Sequence, residues 1–415
     1  MSRGRVIVIG GGAAGLMAAG QAAEAGRSVL LLEKMGQPGR KICITGKGRC
    51  NLTNIAEPIE FINHFGSNGR FLHQAFARFF SPELMTFFEG LGLPLTIERG
   101  GRVFPTCGKA PEVLKVMLKW LEGFGVEIRR QTPVGSLLLE ECRIRGVVCG
   151  GENIEGDKII LATGGASYPR TGSTGDGYRL ARQAGHSIVP IRPSLVPLET
   201  GGNLAGRMAG LSLKNVGIRL FINDKCRFQG FGEMTFTDFG LSGPLILTVS
   251  NQAVDSLRAG KKLKIAIDLK PALDEAQLDA RLERECNDRA KEQINSVLRG
   301  LLPKEMVPVC LEATGTDPKK TAGALSGSER RLLRAWLKEF RLDITGYRSF
   351  DEALVTAGGV DLREIDPRTM ESRKTKGLFI AGELLDLHAD TGGYNLQAAF
   401  STGWVAGRDM QGSVR

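Results

Sequence analysis

Three glycines at fixed spacing, Gly10, Gly12 and Gly15, lie between an apolar tetrad at 6–9 and an alanine-rich segment that opens with Ala13 and Ala14. In a strand–turn–helix setting such glycines let the backbone turn tightly and close on a pyrophosphate, whose charge meets the amide end of the helix. Glu33 ends a second apolar run at 28–32, 18 residues beyond Gly15. A carboxylate there would accept hydrogen bonds from ribose hydroxyls, and it would repel the 2′-phosphate of NADP. The spacing predicts a dinucleotide site, and by itself it does not separate FAD from NAD.

Segments farther along favour the longer, flavin-bearing molecule. Ala162-Thr163-Gly164-Gly165 breaks the chain sharply after an expected β-meander, and an apolar strand at 378–381 runs into Gly382. A simple nicotinamide dehydrogenase needs neither feature. A cofactor with a ribityl chain uses both. The eight cysteines form no C-x-x-C pair and no zinc-type spacing, so they read as free thiols in a reducing compartment, and no metal is expected.

The elements that must position these residues follow from hydrophobic patterning. The run at 6–9 reads as a strand buried on both faces, 13–25 as a helix closed by Gly26, and 28–32 as a second strand, which together make a βαβ unit. A basic loop is expected at 39–54, helices at 70–80, 83–91 and 111–124, and strands at 126–129, 134–139, 143–149 and 158–161. Beyond Pro190 the texture changes to alternating stretches at 216–222 and 263–269, followed by one charged helix at 274–299. Glycine clusters return after Ala353, with a final helix at 395–405. The expected architecture is α/β: a Rossmann-like domain of residues 1–193 and 343–415, interrupted by an insert at 194–342 that is β-rich to 272 and helical from 273.

Composition narrows the class. The chain has 415 residues, 42% hydrophobic and 24% charged, as in a water-soluble globular protein. Its formal charge is +10, but acids are interleaved throughout and no block of five like charges occurs. This reads as a solvated surface, with a small-molecule substrate expected and nucleic acid not. No run of 18 apolar residues free of charge and repeated glycine suggests a membrane span. The glycine-split segment at 6–23 reads as strand and helix, not a secretory leader, so a cytoplasmic protein is expected.

Beyond single motifs, the chain resembles the BaiN/aminoacetone-oxidase-like FAD-binding proteins, within the wider glutathione-reductase-type fold. The resemblance covers nearly the whole length. It rests on Gly39-Arg40-Lys41 through Gly48-Arg49-Cys50-Asn51 and Thr53-Asn54, on Gly101-Arg102-Val103-Phe104-Pro105, and on Ala162 to Gly165 with Thr171 to Gly177. Thr237 to Pro244, Ala357 to Val360, Gly382-Glu383-Leu384-Leu385-Asp386 and Gly392-Gly393-Tyr394-Asn395-Leu396-Gln397 complete it. It implies non-covalent FAD, with Gly10 to Gly15, Glu33 and Lys34 at the ADP half and Val134 against the adenine. Gly382, Glu383 and Asp386 would meet the pyrophosphate and ribityl hydroxyls. Gly392 to Gln397 would open a helix whose positive end faces N1–C2=O of the flavin.

Arg40, Lys41, Arg49, Cys50 and Asn51 join the implied cofactor set. Two departures from the family pattern are Lys47, where glycine is usual, and Ala389, which replaces a glycine in the tail. His388 is a candidate acid or base, Arg102 and Arg170 are candidate clamps for an anionic substrate, and Lys47 is a cation on the glycine loop. Phe236 and Phe239 are candidates for a pocket wall. Hydride transfer between a small organic substrate and flavin N5 is the expected reaction, closed by O2 or by NAD(P)H. There is no second complete G-x-G-x-x-G, so a nicotinamide donor would dock transiently over the flavin. Alternatives are a flavin-dependent RNA-modifying enzyme and a non-catalytic FAD-binding module.

Overall fold

A computed structural model describes residues 4–408, which divide into two units, one of residues up to 194 and from 350, the other Leu195–Ser349. In the first unit a parallel sheet runs in the order Leu378–Ile380, Lys158–Leu161, Val6–Ile9, Val29–Leu32, Glu127–Arg129. The two strands of the glycine motif are buried along their whole length, which explains why they are apolar without alternation. Helix Ala13–Glu24 leaves the glycine turn and packs on the closing helix Tyr394–Arg408. That packing is close because small residues meet. A Cβ on Gly403 would lie 2.3 Å from the Ala14 carbonyl oxygen, and one on Gly407 2.4 Å from that of Ala18.

Two small antiparallel sheets flank this core. Val134–Glu140, Arg143–Cys149 and Glu152–Glu155 form the meander, while Thr53–Asn54, Arg102–Pro105 and Leu95–Glu98 form the other. The chain leaves the unit along Ile188–Ser194 and returns along Val355–Val360, and these two strands pair antiparallel. The stretch expected as loop at 39–54 contains helix Arg40–Gly48, whose regular turn gives way at Thr45, Gly46 and Lys47.

The second unit has its own apolar core around a closed barrel. Its strand order is Leu198–Thr200, Gly240–Ser242, Lys225–Phe236, Ser212–Ile222, Leu263–Asp268, Phe340–Tyr347. Two sequence expectations need correction here. The sequence places the return to the first domain at 343, but Phe340–Tyr347 pairs with both Leu263–Asp268 and Leu198–Thr200, so that strand belongs to the barrel and the unit ends at 349. The helix expected over 274–299 is two helices, Glu275–Asp288 and Ile294–Leu298. Between them Glu292 and Ile294 bond to the backbone of Ala322 and Lys320, which holds that stretch extended. The stretch expected to be β-rich carries five strands and helix Pro244–Arg258, and the stretch expected to be helical carries helices up to the start of strand Phe340–Tyr347. Among the described residues no helix is long and apolar enough to cross a membrane.

Candidate cofactor and active site

The glycine turn is shaped by close approach. Gly10 has φ +101°, and a Cβ on it would lie 2.6 Å from the Ala162 carbonyl oxygen; one on Gly15 would lie 1.8 Å from that of Gly10. Gly12 differs: a Cβ there meets nothing within 4 Å. Gly10 and Gly15 are required by the protein's own packing, and Gly12 opens on free space at the start of a helix, where a phosphate would be received. Glu33 is buried and holds this turn, with Oε2 accepting from the Gly11 N–H at 2.8 Å and Oε1 from the Met35 N–H at 2.7 Å. Each oxygen retains a second lone pair for a ribose hydroxyl. The segment leading to Val134 lies alongside, because the Thr132 N–H donates to the Glu33 carbonyl.

Motifs from distant parts of the chain meet at this turn. Gly382 has φ +74°, and its missing Cβ would lie 2.8 Å from that of Ala14; at Gly165 one would lie 2.4 Å from Thr356 Oγ1. Glu383 gathers the group. Its carboxylate accepts from Lys41 Nζ at 2.7 Å, Ser167 Oγ at 2.9 Å and the Thr356 N–H at 2.8 Å. Burial pushes this carboxyl up, but the Lys41 charge and these hydrogen bonds outweigh it and hold the group below the usual carboxylate range. Asp386 goes the other way: burial raises it despite a hydrogen bond from Asn68 Nδ2 at 2.9 Å.

At the tail, Gly393 has φ +102° and a Cβ there would lie 2.4 Å from the Thr53 carbonyl oxygen. The Asn54 amide donates to the Gly392 carbonyl, and Asn395 exchanges hydrogen bonds with the backbone of Ala389. This segment therefore enters its helix in one fixed conformation. The buried polar atoms without a hydrogen-bond partner include Asn51 Oδ1, Tyr178 Oη and Gln397 Oε1. All three belong to segments drawn in around the glycine turn and the tail. Buried polar atoms are ordinarily paired, so these fit a bound polar ligand. Together with the open space at Gly12, they fit FAD.

The sequence profile of the HI0933-like protein Rossmann domain matches residues 4–409. The chain belongs to the HI0933-like family. Relatives resemble it over nearly their whole length. A 3-dehydro-bile acid delta(4,6)-reductase of Clostridium scindens is 34% identical over 97% of this chain and 98% of that one. A ribosomal RNA dihydrouridine synthase of Escherichia coli is 31% identical over 99% and 98%. Among solved structures, a 3-ketosteroid-delta4-(5alpha)-dehydrogenase of Rhodococcus jostii shares the fold at TM-score 0.51 and 16% identity, covering 98% of this chain and 96% of that one. This HI0933-like protein is an FAD-dependent oxidoreductase.

Within the HI0933-like framework the remaining candidates separate. Lys34 is engaged with Asp176 at 2.6 Å, which fastens it to the segment after Gly175. Arg49 pairs with Glu98 and lies 4.1 Å over the Phe104 ring, while Arg102 donates to the Arg99 carbonyl at 3.1 Å. Cys50 is buried, and burial pushes its thiol up to about 12, which makes it a packing group and not a nucleophile. Lys47 is exposed at φ +58°, a conformation that favours glycine. Arg40 and Arg170 are exposed, and His388 is half-buried between Leu387 and Ala389. In the second unit Phe236 is core, fully buried, and Phe239 carries the Arg348 guanidinium at 4.4 Å.

Sequence reasoning missed His64. Its ring stacks on Tyr394 with centroids 3.8 Å apart, and its Nδ1 lies 3.0 Å from Asp390 Oδ2. Asn68 and Ser167 were missed as well. None belongs to a motif with fixed spacing, and each acquires its partner from more than 200 residues away (Asp390, Asp386 and Glu383 respectively). Only the reading of Glu383, Asp386 and Tyr394 as site residues pointed toward them.

Proposed function

We propose that this protein reduces a carbon–carbon double bond conjugated to a carbonyl, using electrons from NAD(P)H. One observation carries the reading: two full-length relatives are named for reactions with this bond change in common. A 3-oxo steroid with a 4-ene and a uridine ring both present C=C next to C=O, and both names describe its saturation. Bound FAD supplies the hydride acceptor and donor, at N5. The residues of the chain hold and tune it. The fixed tail at Gly392–Gln397 would present the amide end of helix Tyr394–Arg408 to the flavin's pyrimidine edge, where negative charge grows on reduction.

Saturation needs a hydride at the carbon β to the carbonyl and a proton at the α carbon. His64 is the group best placed to hold that proton at Nε2, because Asp390 orients its ring through Nδ1 and Tyr394 fixes its plane. Anaerobic mixing of the yellow protein with NADH and with NADPH should bleach the flavin with at least one. Adding a 3-oxo-4-ene steroid or a uridine-containing RNA should then restore the colour. If neither nucleotide reduces the flavin, or neither acceptor reoxidises it, the reading is wrong.

Between the two acceptors, uridine in RNA is favoured by the names of relatives and not by the formal charge of +10, which acids interleave throughout. Two of the full-length relatives, from Escherichia coli and Haemophilus influenzae, carry that name.

A further inference from the structure

We propose that strand Lys225–Phe236 of the second unit pairs antiparallel with the same strand of a second copy, which makes the protein a two-fold dimer in solution. The strand is partnered on one side only over most of its length. Ser212–Ile222 lies along it from Lys225 to Thr235, whereas Gly240–Ser242 meets only Thr235 and Phe236 on the other side. Among the described residues no other strand or backbone hydrogen bond reaches the stretch 225–233. This overhang beyond the closing strand is an open sheet edge, and an open edge is a template for a further strand.

Register decides which side chains accompany that edge. Buried Ile218 opposes Gly230, and buried Leu220 opposes Phe228, so Gln229, Phe231 and Glu233 stand on the outer face. The register shifts between Leu220 and Phe221, and Arg227 is the extra residue there. Both residues of such a bulge lie opposite one residue of the neighbouring strand, here the outward Phe221, and Arg227 is exposed. On the inner face Leu245 of helix Pro244–Arg258 fills the space beside Gly230 and Gly232. The outer face and the edge remain for a partner.

Charge complementarity selects a second copy. Reversed about Gly230, the series Arg227, Gln229, Phe231, Glu233 is its own complement. Arg227 then opposes the partner's Glu233, and Glu233 the partner's Arg227, so an ion pair closes each end. Phe231, 63% exposed, falls opposite the partner's Gln229 and diagonal to the partner's Phe231, within reach of its ring. Among the described residues no hydrogen bond or ion pair engages the side chains of Arg227, Gln229 or Glu233. Sliding the copy by two residues sets Arg227 against Phe231 or Thr235 and loses both ion pairs. Lys225, opposite the inward Ile222, cannot stand in for Arg227. A foreign strand bearing one sign of charge would satisfy one end alone.

Sedimentation velocity of the full-length, FAD-loaded protein tests this, since association must grow with concentration. Arg227→Glu places like charges at both ends and should weaken the dimer about tenfold or more. Glu233→Arg should weaken it equally. Both side chains are exposed, so each variant should keep the thermal transition of the unaltered protein. An equimolar mixture of the two variants restores opposite charges at both ends and should form a heterodimer that neither variant forms with itself. A monomer at every concentration overturns the proposal. So does a dimer that neither variant weakens, or a mixture that associates no better than its components.

Discussion

Glu383 shows how much a single side chain does in the first unit. Its carboxylate joins Lys41, Ser167 and Thr356, which come from three separate stretches of chain. Lys41→Met would leave a largely buried carboxylate without its cation, and removing one partner of a buried pair is far more damaging than replacing both. The variant is expected to lose about 3 kcal/mol of stability, read as a lower urea midpoint, while Lys41→Met with Glu383→Gln should recover part of it. A second residue sets the acid limit. Burial holds the pKa of His186 below its ordinary value even though its Nδ1 lies 3.0 Å from Glu364 Oε2. The unfolded chain then takes up a proton near the ordinary histidine pKa of about 6.5 that the folded chain refuses. Stability is complete above that pH and declines below it. Glu364, held at about 2 by Lys374, Ser187 and His186 against the effect of burial, adds a further decline below the ordinary carboxylate range. His186→Gln should abolish the first slope, between about pH 6.5 and 5, in urea titrations and leave the second.

At the scale of the element, the glycine turn offers a separation that most binding motifs do not. Gly15 cannot bear a side chain without displacing the Gly10 carbonyl, so its substitution damages fold and site together. At Gly12 nothing of the protein lies within 4 Å of a new Cβ, and φ is −82°, so backbone strain is absent. Gly12→Ala should cost less than about 1 kcal/mol in the FAD-free protein and raise the FAD dissociation constant roughly tenfold or more. Equal FAD affinity in the two proteins would place the cofactor elsewhere. This turn was legible in the sequence because its constraints are local: spacing, small residues and the acid at the end of the next strand. Gly382 was legible as the end of an apolar strand and Gly393 only through family resemblance, since what demands glycine at each is contact with Ala14 or Thr53, hundreds of residues away. His64 was illegible for a related reason. A lone histidine carries no periodic signal, and its partners Asp390 and Tyr394 approach it only in the folded chain.

At the scale of the molecule, the insert is a continuous piece of chain with a core that, among the described residues, draws on none outside it. The core cluster around Leu220, Ile265, Phe236, Leu298 and Leu333 lies wholly between 195 and 349, and the barrel closes on itself through the pairing of Leu198–Thr200 with Phe340–Tyr347. Closure removes the exposed edges that make an isolated sheet aggregate. A length of about 150 residues is also that of an ordinary domain. The boundary expected from sequence, near 343, would cut the closing strand in two, because hydrophobic alternation cannot tell which sheet a strand joins. These facts set the final prediction. A fragment of residues 195–349 should fold alone, with a single cooperative thermal transition and mixed strand and helix circular dichroism. It should bind no flavin, since every cofactor-site residue named here belongs to the first unit. A fragment ending at 342 lacks most of the strand that closes the barrel and should not show that transition. If 195–349 proves unfolded while the whole chain is stable, the barrel depends on the first unit, and the insert is not a domain in the thermodynamic sense.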